Sequence, residues 1–222
     1  MKVYGTETGA ATHPVLLTFA EKGHEPELIH TSVLGGADKS PENLARQPFG
    51  EVPVLDDDGF LLYESRAIIR YLDRRLPGPS LTPADLREFG LMEQWINVEQ
   101  YYVSGPVWTV VRSGPVYDLI RRSPAIKTMP PAPDDAELAA VRGELARAFD
   151  AVDKHLEGRT YLAGEQFSLA EICWLPYLTY LFASNGGDLV LERPNLADWW
   201  QRTSSRPTWK KVGKVLDRLE NA

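Results

Sequence analysis

The chain has 222 residues, 43% hydrophobic and 25% charged, which is the balance of a globular protein with one large core or two modest ones. Its formal net charge of −7 argues against nucleic-acid binding, and no apolar run approaches the roughly 20 residues of a membrane span. We therefore expect neither nucleic acid nor a membrane as a partner. One cysteine, Cys173, allows no internal disulfide and no metal cluster, and the start of the chain has no apolar signal segment, so we expect no metal and a cytoplasmic location.

Strand and helix signals alternate in the first part of the chain. Gly23 is a usual glycine position just after a helix, and Asp58-Gly59 is typical of a hairpin turn between two apolar segments. These signals predict, in order, a strand over 2–5, a helix over 14–22, a strand over 27–33, a helix over 41–46, strands over 52–55 and 60–64, and a helix reaching Leu76. The order βαβαββα predicts a mixed sheet with helices on its faces.

Prolines and glycine interrupt the chain after Leu76 and predict an interdomain linker over 78–85. Beyond the linker the apolar spacing is helical, most clearly over 134–156. Ser168 and Glu171 form a capping box that predicts another helix start. Further helices should begin near Asn195 and Arg206. We therefore predict an α/β domain over 1–77 and an all-helical domain over 86–222.

Short motifs spread over nearly the whole chain carry a resemblance to a known family. They are Gln47 to Pro53, Glu64 to Ile68, Glu93-Gln94-Trp95, Tyr161 to Gly164, Phe167 to Glu171, Leu175-Pro176-Tyr177 and Ser205 to Trp209. Together and in this order they resemble the cytosolic glutathione transferases, most closely the phi class. The resemblance implies an N-terminal thioredoxin-like domain, a helical C-terminal domain and glutathione as substrate or cosubstrate.

The resemblance also implies a glutathione site. Ser65 precedes the body of a helix, where a hydroxyl and free amides can hold a carboxylate, and Glu64 is placed to pair with an ammonium group. The family's binding residues correspond here to Lys39, Glu51, Val52, Pro53, Glu64 and Ser65. Asp38 and Glu51 are acids close to the expected position of the glycyl carboxylate, and each should cost affinity.

The serine that activates the thiol in phi-type enzymes is absent. Its expected position falls on Ala11, and no serine occurs before Leu28. Thr12 could present a hydroxyl instead, or it could simply cap the following helix. His13 could act as a base or hydrogen-bond donor. Thr8 lies early in the loop for this role, so we predict Thr12 and His13 as catalytic residues.

The second substrate should bind between this loop and the helix that opens the second domain. A pocket of aromatic and apolar side chains would take a flat hydrophobic electrophile. The candidate lining residues are Ala11, Tyr102, Trp108, Val111 and Arg112. From the family we expect a homodimer, with Arg66 as a contact.

Three functions are consistent with these residues. The first is an enzyme of detoxification that joins glutathione to an electrophile. The second is a thiol-dependent isomerase or cyclase, which needs the same site. The third is a non-catalytic ligand-binding protein, which the missing serine would explain.

Overall fold

The computed structural model describes residues 1–33, 35–122 and 130–213. Its first part alternates strands and helices. The elements are β1 (Lys2–Gly5), α1 (His13–Glu21), β2 (Glu27–His30), a 3-10 turn (Ala37–Lys39), α2 (Pro41–Arg46), β3 (Val54–Asp57), β4 (Phe60–Tyr63) and α3 (Ser65–Arg75). This is the predicted βαβαββα order.

The four strands form one mixed sheet in the order β2-β1-β3-β4. Strand β1 is parallel to β2 and antiparallel to β3, and the β3–β4 hairpin turns at Asp58-Gly59 as predicted. Strand β2 ends at His30 rather than Val33 because its partner β1 ends at Gly5, which pairs with His30. Strand β3 begins at Val54, since Pro53 has no N–H for the ladder.

The rest of the described chain is helical. Its elements are α4 (Leu86–Val98), a π-helical turn (Glu99–Val103), α5 (Ser104–Val111), α6 (Pro115–Arg121), α7 (Asp135–Leu156), α8 (Leu169–Ala183), α9 (Asp188–Leu191), α10 (Pro194–Ser204) and α11 (Pro207–Val212). No helix in the described ranges is long and apolar enough to cross a membrane. The π-helical turn is a feature that the apolar spacing did not predict.

Helix α8 lies at the centre of the helical part. Trp174 is fully buried, and its indole N–H donates to the Trp95 carbonyl at 2.9 Å. The predicted capping box is present: the Glu171 side chain returns to the Ser168 N–H at 2.9 Å and also accepts from Leu162 N–H at 2.7 Å. Helix α8 contacts α1 and α3, so it also forms part of the contact between the two parts of the chain.

Two polar contacts fix the α/β part against the segments that follow. The buried Lys22 ammonium pairs with Asp73 at 3.1 Å, and the same carboxylate accepts from the Leu81 N–H in the linker. Arg206 reaches back to Glu21 through both carboxylate oxygens, at 2.6 and 2.8 Å. The end of α1 is therefore tied to α3, to the linker and to the segment before α11.

Candidate functional site

A cavity of about 880 Å³ lies between the β1–α1 loop and the helical part of the chain. One wall is the loop itself, together with residues near the ends of β2 and before β3. The opposite wall comes from α5, α6 and α8. The lining residues are Thr6 to Thr12, His30, Ser32, Val33, Gly35, Glu51, Val52, Trp108, Leu119, Ile120, Arg122, Tyr177 and Tyr180.

Ser65 lines a small crevice beside this cavity. The crevice is lined by Ala10, Ala11, Pro14, Ser65, Arg66, Cys173 and Tyr177. Ala10, Ala11 and Tyr177 line both spaces, so the crevice and the cavity are neighbours that share a wall. The structure thus brings Ser65 and the β1–α1 loop, which the sequence analysis assigned to one site, to the same place.

Ser65 is the first residue of α3 and is 8% exposed. The amides of the first helical turn have no partner within the helix, and the helix dipole adds partial positive charge there. Glu64, which precedes Ser65, has φ 68° and makes no side-chain capping bond. Its exposed carboxylate is therefore free to pair with a cation next to a bound carboxylate.

Lys39 is already engaged by its surroundings. Its ammonium donates to the Gly50 carbonyl at 2.5 Å and to Glu51 Oε1 at 3.0 Å, and Asp38 lies 3.7 Å away. The hydrogen bond to Glu51 raises the pKa of Lys39. The two acids that the sequence analysis singled out therefore do contact Lys39, and a bound carboxylate would have to compete with them.

Val52 lines the cavity immediately before β3, and the Val52-Pro53 peptide is cis. Pro53 is buried at the beginning of the hairpin. Val52 lies outside the ladder that β3 makes with β1, so its backbone groups are not used by that ladder.

Thr12 and His13 are both 0% exposed. Thr12 lines the cavity, and among the described residues its hydroxyl has no hydrogen-bond partner and makes no cap for α1. A Cβ placed on Gly5 would lie 2.9 Å from this hydroxyl and one on Gly9 3.0 Å, so Thr12 packs closely against both glycines of the loop.

His13 does not line the cavity; its ring lies edge-on to Trp209 at 5.6 Å, which corrects its predicted role as a base at the site.

Thr8, which the sequence analysis placed early in the loop, is another hydroxyl that lines the cavity. It is half-buried on the cavity wall, and its Oγ1 lies 3.2 Å from Thr6 Oγ1. Its carbonyl accepts a hydrogen bond from the Tyr180 hydroxyl. Position in the loop alone could not show this, because the loop turns back on itself between Thr6 and Gly9, whose N–H donates to the Thr6 carbonyl at 3.0 Å.

The predicted second-substrate residues separate into two groups. Ala11 and Trp108 line the cavity. Tyr102 is 64% exposed, Val111 is fully buried, and neither lines the cavity. Arg112 also lies away from it, because its guanidinium pairs with Glu137 at 2.9 Å.

Tyr102 lies within the π-helical turn over Glu99–Val103, whereas Val111 and Arg112 lie at the end of α5. Instead, α6 and α8 complete the wall with Leu119, Ile120, Tyr177 and Tyr180.

A buried ion pair lies beneath the crevice. Arg66 pairs with Glu99, which is 0% exposed, so Arg66 is occupied within its own chain rather than free for the predicted dimer contact. Burial raises the pKa of Glu99 to about 7, against the opposing effect of Arg66. Burial also raises the pKa of Cys173 to about 12, so this thiol stays protonated at neutral pH.

Comparison with known proteins gives consistent results along the whole chain. The family described as "Glutathione S-transferase, N-terminal domain" matches residues 1–74, and "Glutathione S-transferase, C-terminal domain" matches residues 119–207. Glutathione S-transferase F12 of Arabidopsis thaliana is 35% identical over 216 residues, which are 96% of each chain. Glutathione S-transferase hmp2 of Hypomyces subiculosus is 33% identical over 96% of this chain and 97% of its own.

Solved structures of glutathione transferases also superpose on this chain. Glutathione transferase F7 from Populus trichocarpa superposes with a TM-score of 0.85 at 32% identity and covers 97% of this chain and 98% of its own. Glutathione S-transferase I from maize, solved with an atrazine glutathione conjugate, has a TM-score of 0.84 at 25% identity, covering 97% of each chain.

Proposed function

The chain belongs to the glutathione S-transferase family, most like its phi class, and from that premise we propose that it joins the thiol of glutathione to a hydrophobic electrophile. One observation supports this most strongly. Ser65 lies beside the β1–α1 loop, and that loop forms one wall of a cavity whose far wall carries Trp108, Leu119 and Ile120. A thiol held on the first side would face an apolar molecule held on the second.

Each part of glutathione has a complementary group. The γ-glutamyl carboxylate binds the Ser65 hydroxyl and the first amides of α3, and its ammonium pairs with Glu64. The Val52 backbone pairs with the cysteinyl residue in strand fashion. Lys39 is the partner of the glycyl carboxylate, but its contact with Glu51 at 3.0 Å makes this the weakest part of the site.

The reaction begins with loss of the thiol proton to solvent. A thiol with pKa about 8.5 is only about 3% ionised at pH 7, so a hydrogen bond to the sulfur anion raises the reactive fraction. The thiolate then attacks the electrophilic carbon, a C–S bond forms, and the leaving group departs with the bonding electrons. Where the electrophile is an activated double bond, the adjacent carbon takes a proton instead.

We assign the hydrogen bond to the sulfur to Thr8 rather than to the predicted Thr12. Both residues line the cavity, but Thr8 is half-buried whereas Thr12 is 0% exposed. The Thr8 hydroxyl has a neighbour in Thr6 Oγ1 at 3.2 Å, which can donate to it and leave its own hydrogen for the sulfur. Thr12 supports the loop from below.

The test is calorimetric titration with glutathione at neutral pH. We expect micromolar to low-millimolar binding by the native protein and at least about a tenfold loss in Ser65→Ala, because a hydrogen bond to a charged group is removed. Ser80→Ala is the matched control, since Ser80 is an exposed linker serine whose hydroxyl bonds the Thr82 carbonyl. Absence of binding by the native protein, or equal affinity in Ser65→Ala, would overturn the assignment of the site.

A non-catalytic binding protein is the second candidate, and Ala11 favours it, because no hydroxyl stands at the position where the serine was expected. Glutathione binding without turnover across a panel of aryl halides, epoxides and activated alkenes would support this candidate. The cytosolic location stays a prediction.

We also propose a homodimer, the usual state in this family. Phe49 is 67% exposed and its ring contacts Tyr63 edge-on at 6.1 Å; Tyr63 and the exposed Phe60 are the two ends of the edge strand β4. An apolar patch of this kind on a sheet edge is normally covered. Light scattering should give twice the chain mass of 24.9 kDa, and Phe49→Asp should reduce it towards one chain. A single-chain mass for the native protein would contradict the dimer.

A further inference from the structure

The β1–α1 loop is tied to the helical domain through Tyr180. The Tyr180 hydroxyl donates to the Thr8 carbonyl across 172 positions of sequence. Tyr180 is 3% exposed, and its ring packs against Trp108 with centroids 5.2 Å apart. Burial raises the pKa of Tyr180, so the hydroxyl keeps its proton and remains a donor at neutral pH.

The acceptor is a peptide group whose orientation matters for the site. Within the loop, Gly9 N–H bonds the Thr6 carbonyl at 3.0 Å, and Thr12 and His13 N–H bond the Gly9 carbonyl at 2.9 and 3.0 Å. The first of these bonds holds the N–H side of the Thr8–Gly9 peptide, and the other two hold the Gly9 carbonyl that follows it. The bond from Tyr180 holds the carbonyl side of the Thr8–Gly9 peptide, and with it the direction in which the Thr8 side chain leaves the backbone.

We infer that Tyr180 is a positioning residue for thiolate stabilisation: its hydroxyl holds the Thr8 carbonyl so that the Thr8 hydroxyl faces the sulfur. The inference rests on the proposed function. It gives the helical domain a part in activating the thiol, besides lining the second-substrate pocket. The ring of Tyr180 packs against Trp108, whereas its hydroxyl donates to the Thr8 carbonyl. A substitution that removes only the hydroxyl therefore separates the two contacts.

Tyr180→Phe removes the hydroxyl and keeps the ring. Tyr117→Phe is the matched control, because Tyr117 is also 3% exposed and its hydroxyl also bonds a backbone carbonyl, that of Pro130, away from the cavity. Thermal unfolding of both variants establishes that they fold. Hydrogen exchange of the Gly9, Thr12 and His13 amides is then measured without ligand, and thiolate absorbance of bound glutathione is measured against pH.

In Tyr180→Phe we expect loop amides to exchange about fivefold faster, the effect of losing one neutral hydrogen bond. The bound thiol should ionise at a pH higher by about half a unit, because the Thr8 hydroxyl is held less well. Tyr117→Phe should change neither quantity. Loop exchange equal to that of the native protein would overturn the anchoring role.

Faster exchange with an unchanged thiol titration would overturn the link to activation. Failure of the proposed function gives a different result, since the native protein itself would then show no thiolate signal from bound glutathione. That result would also refute the positioning role of Tyr180 in thiolate stabilisation. The exchange data would still show whether the Tyr180 hydroxyl anchors the loop.

Discussion

Glu171→Ala should lower the free energy of unfolding by about 3 kcal/mol, because it leaves several buried donors without an acceptor. The carboxylate is fully buried and accepts from Leu162 N–H at 2.7 Å, from the Ser168 N–H and hydroxyl at 2.9 and 2.7 Å, and from the Trp199 indole at 3.3 Å. These bonds join the start of α8 to the preceding segment and to α10. One side chain therefore holds three parts of the helical domain together.

Urea unfolding followed by circular dichroism measures this effect. Glu165→Ala is the control, since Glu165 is an exposed acid in the same segment that bonds only the Thr160 hydroxyl among the contacts of the described residues. We expect the control to change stability by less than about 0.5 kcal/mol. A loss below about 1 kcal/mol in Glu171→Ala would show that water or neighbouring groups replace the carboxylate.

Thr8→Val should raise the pKa of the bound glutathione thiol by about 1 to 2 units, the equivalent of one hydrogen bond to an anion. The sign follows from the donor: the hydroxyl stabilises the thiolate and not the thiol, so its removal makes ionisation harder and moves the absorbance change to higher pH. The rate of conjugation at neutral pH should fall in proportion to the thiolate fraction.

Thr12→Val provides the comparison at the residue that the sequence favoured. Its hydroxyl has no hydrogen-bond partner and is fully buried, so we expect an almost unchanged titration. Thr8→Ser should restore the native curve because it restores the hydroxyl. A shift in Thr12→Val with none in Thr8→Val would return the role to Thr12, and no shift in either would assign it to the loop amides.

The fold followed closely from local signals. Asp58-Gly59 forms the hairpin turn with φ 52° and 93°, values that favour glycine and aspartate, and the Ser168–Glu171 capping box begins α8 at the expected place. Ser65 at the start of α3 was predictable for the same reason. Each of these features depends on residues within a few positions of one another.

Which residues line the cavity could not be predicted from local signals, because it depends on contacts between distant parts of the chain. Within α5, Trp108 lines the cavity while Val111 lies in the core. Folding of the loop leaves Thr8 half-buried and Thr12 fully buried, and the bond from Tyr180 reaches the loop from the helical part of the chain. The sequence by itself determined the family, the order of elements and the motif that we propose binds glutathione. Only the tertiary structure decided how deeply each loop hydroxyl is buried beside the cavity, because that depends on packing between residues far apart in the chain.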